Sequence, residues 1–510
     1  MKRFIQRRRN MRELKRREFL SAAVGSLAAA GSFAAGAAGA VEPSPKNDAF
    51  KNADHVYDIV VVGAGAAGVA CAIEAKALGA DVVLLEKHVR PDGNTLYSSG
   101  RLCCVGSRYQ KDVKDSVDAF VKDELHETRG VGDEKCLRAF AELSGETIDW
   151  VIDMGVPLSL TKNLPFPNLS RAFFMKTDGT TGGSILQRKM MAKIKALGVP
   201  MHVSTNGVEL ITDETGTVVG IKTKTPEGPK NYYARGGVVL ATGGFSANEE
   251  LRNAYMGPWA ARLMLRGSTK NTGENILMTK PLRAKLVNLS SFYAGPTVPE
   301  THANPARVSN SAYGMIVGKD GKRCVDESLG QAIRSKLLPQ VTPDNRTFII
   351  CDAKTDDEDN ILTKLLDRFA RLNSPVYKAD TIEALAKAAG INEAALVESV
   401  KTFNEAIAKG EGAKLTPPHN RRTPHPVATA PFYAIPMSGG IANTFGGPKI
   451  NEKAEVVDLD DQPIKGLYAA GAAAGGLWYE EDIPGSQLSS GLVFGRIAAR
   501  SARERAKENA

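Results

Sequence analysis

The feature that most constrains this chain is a strand–turn–helix–strand block over residues 57–86. Residues 57–62 form a mostly apolar run, which is typical of a parallel strand buried on both faces. The run leads into the glycine-rich hexapeptide 63–68, then into an alanine-rich helix and a second apolar run that ends at Glu86. This order predicts a Rossmann-type unit that binds a dinucleotide, because such a ligand needs a glycine turn, a helix N-terminus and a terminal acid.

Each glycine of the hexapeptide has its own predicted role. Gly63 permits the tight turn, Gly65 lets the backbone approach a pyrophosphate, and Gly68 lets the helix pack closely on the strand. The phosphates then lie at the helix N-terminus, and Glu86 accepts hydrogen bonds from the ribose hydroxyls.

Three further blocks favour a flavin over a nicotinamide cofactor. A polar loop at 94–100 follows the first unit where a nicotinamide domain normally continues with further strands and helices. Buried strands that end in glycine turns are predicted at 237–244 and 466–471, and a helix is predicted to begin near 489. The amides of that helix start can hold the carbonyl edge of a flavin.

Together these blocks resemble the flavoprotein family of fumarate reductases and succinate dehydrogenases. They are most similar to its soluble branch: flavocytochrome c fumarate reductases, urocanate reductases, tricarballylate dehydrogenases and 3-ketosteroid dehydrogenases. The resemblance covers residues 56–505, and the stretch 466–494 looks most like the tricarballylate dehydrogenase type. It implies an α/β fold with a Rossmann-like FAD-binding domain that is split by an inserted α+β capping domain.

The family fold implies an FAD-binding domain at 56–289 and 443–505 and a capping, substrate-binding domain at 290–442. Helical patterns at 357–372 and 381–409 and a β-rich stretch at 201–233 agree with this organisation.

The resemblance implies FAD as the cofactor. We expect it to be held non-covalently, because the only histidine close to the 94–99 loop, where membrane-bound relatives attach FAD, is His88. The residues predicted to bind FAD are Gly63, Gly65, Ala66, Ala67, Gly68, Glu86, Lys87, Asn94, Thr95, Ser98, Ser99, Gly100, Val208, Ala241, Thr242, Gly243, Gly244, Gly471, Ser489, Gly491 and Leu492.

The substrate residues depart from the fumarate reductase pattern. In that family two histidines and an arginine hold the substrate carboxylates, and a second arginine delivers the proton. Aligned by their local motifs, these positions fall on Gly295, Asn443, Asp482 and Gln331, so all four basic groups are absent. A dianionic acid facing Asp482 without a cationic clamp is poorly held, and fumarate is therefore not the expected substrate.

The chemistry must then come from other residues, and we expect Arg334, Tyr293, Tyr479 and Asn443 to carry it. Arg334 lies one helical turn after Gln331 and can replace the missing proton donor. A tyrosine can donate a proton or polarise a carbonyl if its pKa is lowered. The other polar residues mapped to this region are Arg266, His302 and Tyr313. The acids at 480–482 either select a neutral or cationic substrate or form a solvated rim.

No metal site is predicted, because Cys103 and Cys104 are adjacent and lack the spacing of metal ligands. No Cys-x-x-Cys-His sequence is present, so no covalent haem is expected. The electrons must come from a separate redox partner, such as a c-type cytochrome or a quinol-linked donor.

Residues 1–40 predict a twin-arginine signal peptide, and 41–55 a polar linker. Arg16 and Arg17 precede Phe-Leu, an uncharged Ala/Gly-rich stretch and a small-x-small cleavage site at 38–40. The partner is then the twin-arginine translocase, and the location is the periplasm.

The segment 1–40 holds nine basic and two acidic residues, so it carries seven of the nine net positive charges. A nucleic-acid-binding face on the rest of the chain is therefore not expected.

These patterns predict an exported oxidoreductase acting on CH–CH groups. Flavin N5 passes a hydride to an activated C=C bond of an enoate-type substrate other than fumarate. Two alternatives remain open: a dehydrogenase that runs the reverse desaturation, as tricarballylate and ketosteroid dehydrogenases do, and a non-catalytic electron-carrier flavoprotein.

We predict that replacing Arg16 and Arg17 together by lysine traps the precursor in the cytoplasm, because a receptor reads the guanidinium pair and not its charge. Cell fractionation and immunoblotting measure this. The matched control is lysine at Arg8 and Arg9, which should leave export unchanged. Mature periplasmic protein at the unmodified level would show that another route reads the signal.

Overall fold

The computed structural model describes residues 50, 53, 55–161, 170–177, 180–357 and 359–510. The predicted signal peptide and nearly all of the predicted linker lie outside these residues. Within the described part of the chain, no helix is both long and hydrophobic enough to cross a bilayer.

The described chain alternates strands and helices. The strands are β1 (Val56–Val62), β2 (Val82–Leu85), β3 (Leu102–Cys103), β4 (Leu158–Leu160), β5 (Ala172–Met175), β6 (Met201–His202), β7 (Asn206–Thr212), β8 (Val218–Thr225), β9 (Gly228–Leu240), β10 (Met264–Leu265), β11 (Leu286–Val287), β12 (Phe292–Thr297), β13 (Met315–Gly318), β14 (Thr347–Asp352), β15 (Tyr377–Ala379), β16 (Phe432–Thr444), β17 (Gly447–Pro448), β18 (Glu455–Val457) and β19 (Pro463–Ala469). The helices are α1 (Ala66–Ala77), α2 (Val117–Glu127), α3 (Glu134–Asp153), α4 (Gly182–Ala196), α5 (Glu249–Met256), α6 (Glu274–Thr279), α7 (Ala306–Asn310), α8 (Gln331–Val341), α9 (Ile361–Arg371), α10 (Ile382–Ala389), α11 (Glu393–Ala408) and α12 (Ser486–Glu508).

The first sheet is the Rossmann-like part of the fold. Its strands run in the order β18-β19-β9-β1-β2-β6, with β8 paired to β9 and β7 to β8. The pairs among β19, β9, β1, β2 and β6 are all parallel. The apolar residues 59–62 of β1 and all of β2 are buried, as expected for parallel strands covered by helices on both faces.

Helices α1 and α12 pack against each other with almost no space between their backbones. A Cβ atom added to Gly495 of α12 would lie 2.3 Å from the carbonyl oxygen of Ala67 in α1. Two arginines of α12 also bind Glu74 of α1, Arg496 at 2.9 Å and Arg500 at 2.7 Å. This packing places the first turn of α1 against residues 491–495 of α12.

The second sheet is built on β16, which is 13 residues long. It pairs with β10, β12, β14 and β15, and β13 extends the sheet beyond β14. Apolar residues of α9 and α8 pack in one core next to this sheet, and those of α10 and α11 pack in another. A parallel Rossmann-like sheet combined with a mainly antiparallel sheet and its own helices confirms the predicted fold class.

The strand bounds do not coincide with the predicted domain limits. β10, at 264–265, belongs to the second sheet although it precedes residue 290, and β16 runs through the predicted return point at 442–443. The limits 56–289, 290–442 and 443–505 therefore stay predictions.

We predict that Gly495→Val lowers the melting temperature and the bound flavin content, because the new side chain must push α12 away from α1. Overpacking of this kind costs about 1–3 kcal/mol. Differential scanning fluorimetry and flavin absorbance per protein measure the two effects. The control is Glu504→Val, which places the same side chain at an exposed site on α12. Equal melting temperatures for the two variants would contradict the close helix contact.

Candidate active site

A cleft of about 1270 Å³ lies at the carboxyl ends of β1 and β9. The residues predicted to bind the cofactor that line it are Gly63, Gly65, Ala66, Ala67, Glu86, Lys87, Asn94, Thr95, Ser98, Ala241, Thr242, Gly243, Gly471 and Gly491. Asn443, predicted to be catalytic, also lines it. The surface of this cleft includes residues from the glycine turn, the end of β9, the polar 94–98 loop and the start of α12.

The glycine turn is shaped by close backbone approaches. Gly63 has φ +106°, and a Cβ on it would lie 2.4 Å from the carbonyl oxygen of Ala241. A Cβ on Gly68 would lie 1.9 Å from the carbonyl oxygen of Gly63. The turn therefore needs glycine at both positions, and it leaves the first amides of α1 facing the cleft, which suits a pyrophosphate.

Glu86 is buried, and it braces the turn as well as facing the cleft. Its Oε2 accepts a hydrogen bond of 3.0 Å from the Ala64 amide, and its Oε1 accepts one of 2.9 Å from the His88 amide. An ionised carboxylate has room for further donors on both oxygens. Glu86 can thus accept hydrogen bonds from the ribose hydroxyls without losing its hold on the turn.

Asn94 and Thr95 tie the polar loop to the rest of the cleft. Thr95 Oγ1 accepts a hydrogen bond of 3.0 Å from the Ala66 amide at the start of α1. Asn94 Nδ2 donates to the Ala442 carbonyl of β16 at 2.8 Å, and its Oδ1 accepts from the Ser268 amide at 2.8 Å. The 94–98 loop therefore connects the start of α1, beside the first sheet, with β16 of the second sheet.

A second polar group in the cleft joins Lys87, which the sequence predicted, to Asn271 and Glu274, which it did not. Lys87 Nζ donates to Glu274 Oε1 at 2.6 Å. The other oxygen of Glu274 and the Nδ2 of Asn271 are buried without a hydrogen-bond partner among the described residues, and both residues line the cleft. Unsatisfied buried polar atoms of this kind fit a polar cofactor that completes their hydrogen bonds. The local sequence gives no signal for them, since the 268–274 loop is placed by contacts with distant segments.

Some predicted cofactor residues lie outside the cleft lining: Gly68, Ser99, Gly100, Val208, Gly244, Ser489 and Leu492. Several of them support the wall instead. A Cβ on Gly100 would lie 2.5 Å from the Gly182 backbone, and Ser489 Oγ accepts a hydrogen bond of 2.8 Å from the Cys103 amide. In β7 the lining ends with Asn206 and Gly207, one residue before Val208.

At the α12 end of the cleft, three polar side chains form a hydrogen-bonded chain. Asn443 Nδ2 donates to Gln487 Oε1 at 2.6 Å, and Gln487 Nε2 donates to Asp482 Oδ1 at 2.6 Å. Asn443 and Gln487 line the cleft, and Asp482 lies behind them, 7% exposed. The sequence predicted Asn443 but not its link through Gln487 to the acid.

Electrostatics set the protonation of this end of the cleft. Burial raises the pKa of Asp482 to about 7; the charges of Glu481 and Glu127 add to the rise, and the Gln487 hydrogen bond opposes it. Burial also raises the pKa of Tyr293, with the Asp482 charge adding to the effect and the Arg266 charge opposing it.

Arg334 does not have the surroundings predicted for it. Its guanidinium is buried and donates to the Ser309 carbonyl at 2.6 Å, to the Glu327 carbonyl at 2.7 Å and to Asn310 Oδ1. Burial and the neighbouring Arg421 lower its pKa to about 10. These three acceptors occupy the donors of the guanidinium, as is typical of a structural arginine. Arg334 is not part of the cleft lining.

Tyr293 and Tyr479 also lie outside the lining. Tyr293 is partly buried and pairs with Asn443 in the β12–β16 register, so it adjoins the hydrogen-bonded chain. Tyr479 lies in a tight turn, where its carbonyl accepts from the Glu481 amide at 2.8 Å and Glu480 has φ +63°. The Tyr479 side chain makes no hydrogen bond with any of the described residues that line the cleft.

One group of residues in the described chain resembles a metal site: Asp326, Glu327 and His419. Arg323 already pairs with Glu327, and His419 Nδ1 lies 2.9 Å from the same carboxylate. Asn420 donates to Asp326 at 2.8 Å. The acids are thus matched by protein donors, which suits a structural network better than a cation.

We predict that Glu86→Gln lowers bound flavin, because charge-assisted hydrogen bonds to ribose are worth about 1.5–3 kcal/mol. Flavin retained after dialysis, read by absorbance per protein, measures this. The control is Glu209→Gln, the same change at an exposed residue of β7. Equal retention in both variants would contradict the ribose assignment.

Comparison with known proteins agrees with this geometry. The family model described as FAD binding domain matches residues 58–488. A probable fumarate reductase of Shewanella frigidimarina is 30% identical over 88% of this chain and 75% of its own length. A urocanate reductase of Eggerthella lenta is 29% identical over 87% and 74%. The acrylate reductase flavoprotein subunit of Shewanella woodyi is 29% identical over 91% and 96%.

Two solved structures share the fold at low sequence identity. The open conformation of a flavocytochrome c3 fumarate reductase has a TM-score of 0.77 and 28% identity, covering 89% of this chain and 79% of that one. The 3-ketosteroid-Δ4-(5α)-dehydrogenase of Rhodococcus jostii has a TM-score of 0.69 and 26% identity, covering 90% and 99%. The predicted family and its FAD cofactor are thereby confirmed, and this chain belongs to the FAD-binding flavoproteins of the fumarate reductase type, a family of oxidoreductases acting on CH–CH groups.

Proposed function

We propose that this chain is an exported reductase of an activated C=C bond in an enoate-type substrate other than fumarate. The observation that carries the proposal is the chain from Asn443 through Gln487 to Asp482, which joins the FAD cleft to a buried acid. The relatives named as fumarate, urocanate and acrylate reductases support the reaction class.

Bound FAD supplies the hydride to one carbon of the double bond. The neighbouring carbon then needs a proton from the protein. Asn443 and Gln487 orient the substrate side of the cleft, and Asp482 lies at the end of their chain. The ends of β1 and β9 line the cofactor end of the cleft, and Asn443 and Thr444 of β16 line it next to Gln487.

Asp482 is the better proton donor of the two groups considered. Because its pKa is about 7, a large fraction of Asp482 is protonated at neutral pH. A carboxylic acid with this pKa also gives up its proton readily at that pH. The pKa of Tyr293 is raised above its usual value, so its proton is held too tightly for this task. We therefore assign proton delivery to Asp482, and to Tyr293 a hydrogen bond to the substrate. Arg334 and Tyr479 take no part in this proposal.

Fumarate does not suit this site. Gly295, Gln331, Asn443 and Asp482 stand at the positions where fumarate reductases have basic residues. Glu481, and Asp482 whenever it is ionised, add negative charge at this end of the cleft. A substrate with one conjugated carboxylate or carbonyl group avoids this repulsion.

The reverse desaturation remains the second candidate, since the Rhodococcus jostii dehydrogenase has the same fold. In that direction Asp482, ionised, removes the proton that it delivers in reduction. An electron carrier without substrate is less well supported, because a carrier does not need a buried acid linked to its cleft. Export by the twin-arginine route, non-covalent FAD and an electron donor such as a c-type cytochrome or a quinol-linked protein complete the proposal.

We predict that the enzyme reduces α,β-unsaturated monocarboxylates or enones with reduced viologen at least about tenfold faster than fumarate at equal concentration, because each lost charge contact to a dianion costs more than 1.36 kcal/mol. Viologen oxidation monitors the rate. Fumarate turnover above that of every monocarboxylate and enone would contradict the assignment. No turnover of any alkene, with oxidation of saturated substrates instead, would favour the desaturase.

We predict that reduction slows as pH rises through about 7, because Asp482 must be protonated to act as the acid. Asp482→Asn should remove this limb of the pH profile and lower kcat. Glu481→Gln should move the limb to lower pH, since the Glu481 charge raises the pKa of Asp482. The other charged or titratable groups that interact with Asp482 include Glu127, Glu124, Tyr293, Lys336 and Cys103. An unchanged limb in Asp482→Asn would rule out this residue as the proton donor.

A further inference from the structure

Arg266 occupies a trough made by two glycines on adjacent strands. It directly follows β10, and its amide donates to the Ile441 carbonyl of β16 at 2.8 Å. A Cβ on Gly440 of β16 would lie 2.7 Å from its Cγ and Cδ, and a Cβ on Gly295 of β12 would lie 2.0 Å from its Nη1. The side chain therefore crosses β16 and ends over β12.

This placement links two changes that look independent in the sequence. Gly295 stands where the fumarate reductase pattern has a substrate-binding histidine. The guanidinium of Arg266 fills the volume next to it, which any side chain at 295 would invade. Compared with the fumarate reductase pattern, β12 thus lacks a basic side chain at 295. The basic side chain of Arg266, which follows β10, lies in that place instead.

The side-chain donors of Arg266 have no acceptor among the described residues. Its side chain makes no hydrogen bond or ion pair with any residue in the described ranges. Burial lowers its pKa, and the nearby Tyr293 is the group whose charge opposes that fall. A partly buried cation without an anionic partner is costly, and a ligand oxygen that accepts from it removes the cost.

Three other cations lie near Arg266, and two of them are hydrogen-bonded. Lys336 donates to the Glu480 carbonyl at 2.7 Å. Arg262 donates twice to the Pro339 carbonyl, at 2.9 and 2.6 Å. Arg101 stacks on the Phe174 ring at 4.4 Å, and its Nε is buried without a hydrogen-bond partner among the described residues. Arg266 differs from Arg101 because its guanidinium lies against Gly295, where the fumarate reductase pattern has a substrate-binding histidine.

We propose that Arg266 binds the oxygen of the carboxylate or carbonyl group conjugated with the substrate double bond. This inference rests on the proposed function. When a hydride reaches the β-carbon, the π electrons move to the α-carbon and the conjugated oxygen, which becomes enolate-like. The proton then joins the α-carbon and the C=O bond re-forms, so one hydride, which carries both electrons, and one proton give the saturated product. Arg266 stabilises the negative oxygen during this step.

The substrate class follows from the single guanidinium fork that Arg266 supplies. One fork matches one carboxylate, or one carbonyl oxygen that gains charge in the transition state. The shared chemistry is a single conjugated oxygen group, and two sources supply it: an unsaturated monocarboxylate or an unsaturated ketone.

The test compares four variants of the FAD-loaded full chain: Arg266→Gln, Arg266→Lys, Gly295→Ala and the double change Arg266→Gln with Gly295→Ala. The control is Arg346→Gln, which removes an exposed arginine that pairs with Glu300. Flavin content and melting temperature check that each variant is folded. The probes are cinnamate, its methyl ester and an unsaturated ketone. Two readouts are used: kcat and KM with reduced viologen, and the Kd of cinnamate from the change in oxidised flavin absorbance.

Removal of a charged contact to a bound oxygen predicts about a 100-fold loss of kcat/KM in Arg266→Gln, with flavin content unchanged. Arg266→Lys should recover part of it. Gly295→Ala should lose activity in the same direction because it displaces the guanidinium, and the double variant should be no worse than Arg266→Gln alone. A weaker Kd for cinnamate with an unaffected methyl ester identifies the carboxylate as the ligand; equal losses for ester and ketone identify the carbonyl oxygen.

The outcomes separate this inference from the proposed function. A wild-type enzyme that reduces the probes while Arg266→Gln matches the control in both readouts overturns the role of Arg266 alone. Additive losses from Arg266→Gln and Gly295→Ala would also overturn it, since the two changes would then act apart. A wild-type enzyme that neither binds nor reduces any probe overturns the proposed function, and the role of Arg266 with it.

Discussion

The structure depends on how closely the backbone of the first parallel unit is packed. Gly63 touches the Ala241 carbonyl of the neighbouring strand end, and Gly68 touches the carbonyl of Gly63 itself. Gly495 of α12 then lies against Ala67. These contacts bring two strand ends, the N-terminus of α1 and the body of α12 together, and the cleft lies beside them. The glycine turn, the start of α1 and the charged side chains of Glu86, Lys87 and Glu274 line the cofactor end of the site.

The reacting end is organised differently. There β12 and β16 carry small residues at Gly295 and Gly440, and side chains from other elements fill the space above them. Arg266, from the end of β10, lies over these glycines, and Asp482, from the loop before α12, lies behind Asn443 and Gln487. At the positions mapped to the substrate histidines and arginines of fumarate reductases, this chain has Gly295, Gln331, Asn443 and Asp482. The proposed preference for a substrate other than fumarate rests on this difference in charge within the same fold.

The sequence was most informative where the fold depends on local patterns. The strand, glycine turn, helix and terminal acid at 57–86 predicted β1, α1 and β2 and five of the residues that line the cleft: Gly63, Gly65, Ala66, Ala67 and Glu86. Where a site is assembled from distant segments, the sequence carried little signal. Asn271 in a loop, Glu274 at the start of α6 and Gln487 at the start of α12 are brought to the cleft by tertiary contacts. For Arg334 the local pattern was right and the predicted role was not supported. It lies one helical turn after Gln331 in α8, but its guanidinium donates to Ser309, Asn310 and Glu327 and not into the cleft. The helical pattern at 381–409 was also read as continuous, whereas Gly390, with φ +66°, ends α10 and Asn392 caps α11.

The central claim is that the flavin in this cleft exchanges a hydride with a carbon atom of an organic substrate. Anaerobic single-turnover mixing of the photoreduced enzyme with an unsaturated monocarboxylate or enone tests it most directly. The account predicts saturable flavin reoxidation with one saturated product molecule per flavin. Reoxidation only by one-electron acceptors, with every alkene and every saturated counterpart left unchanged, would contradict it and make the protein an electron carrier.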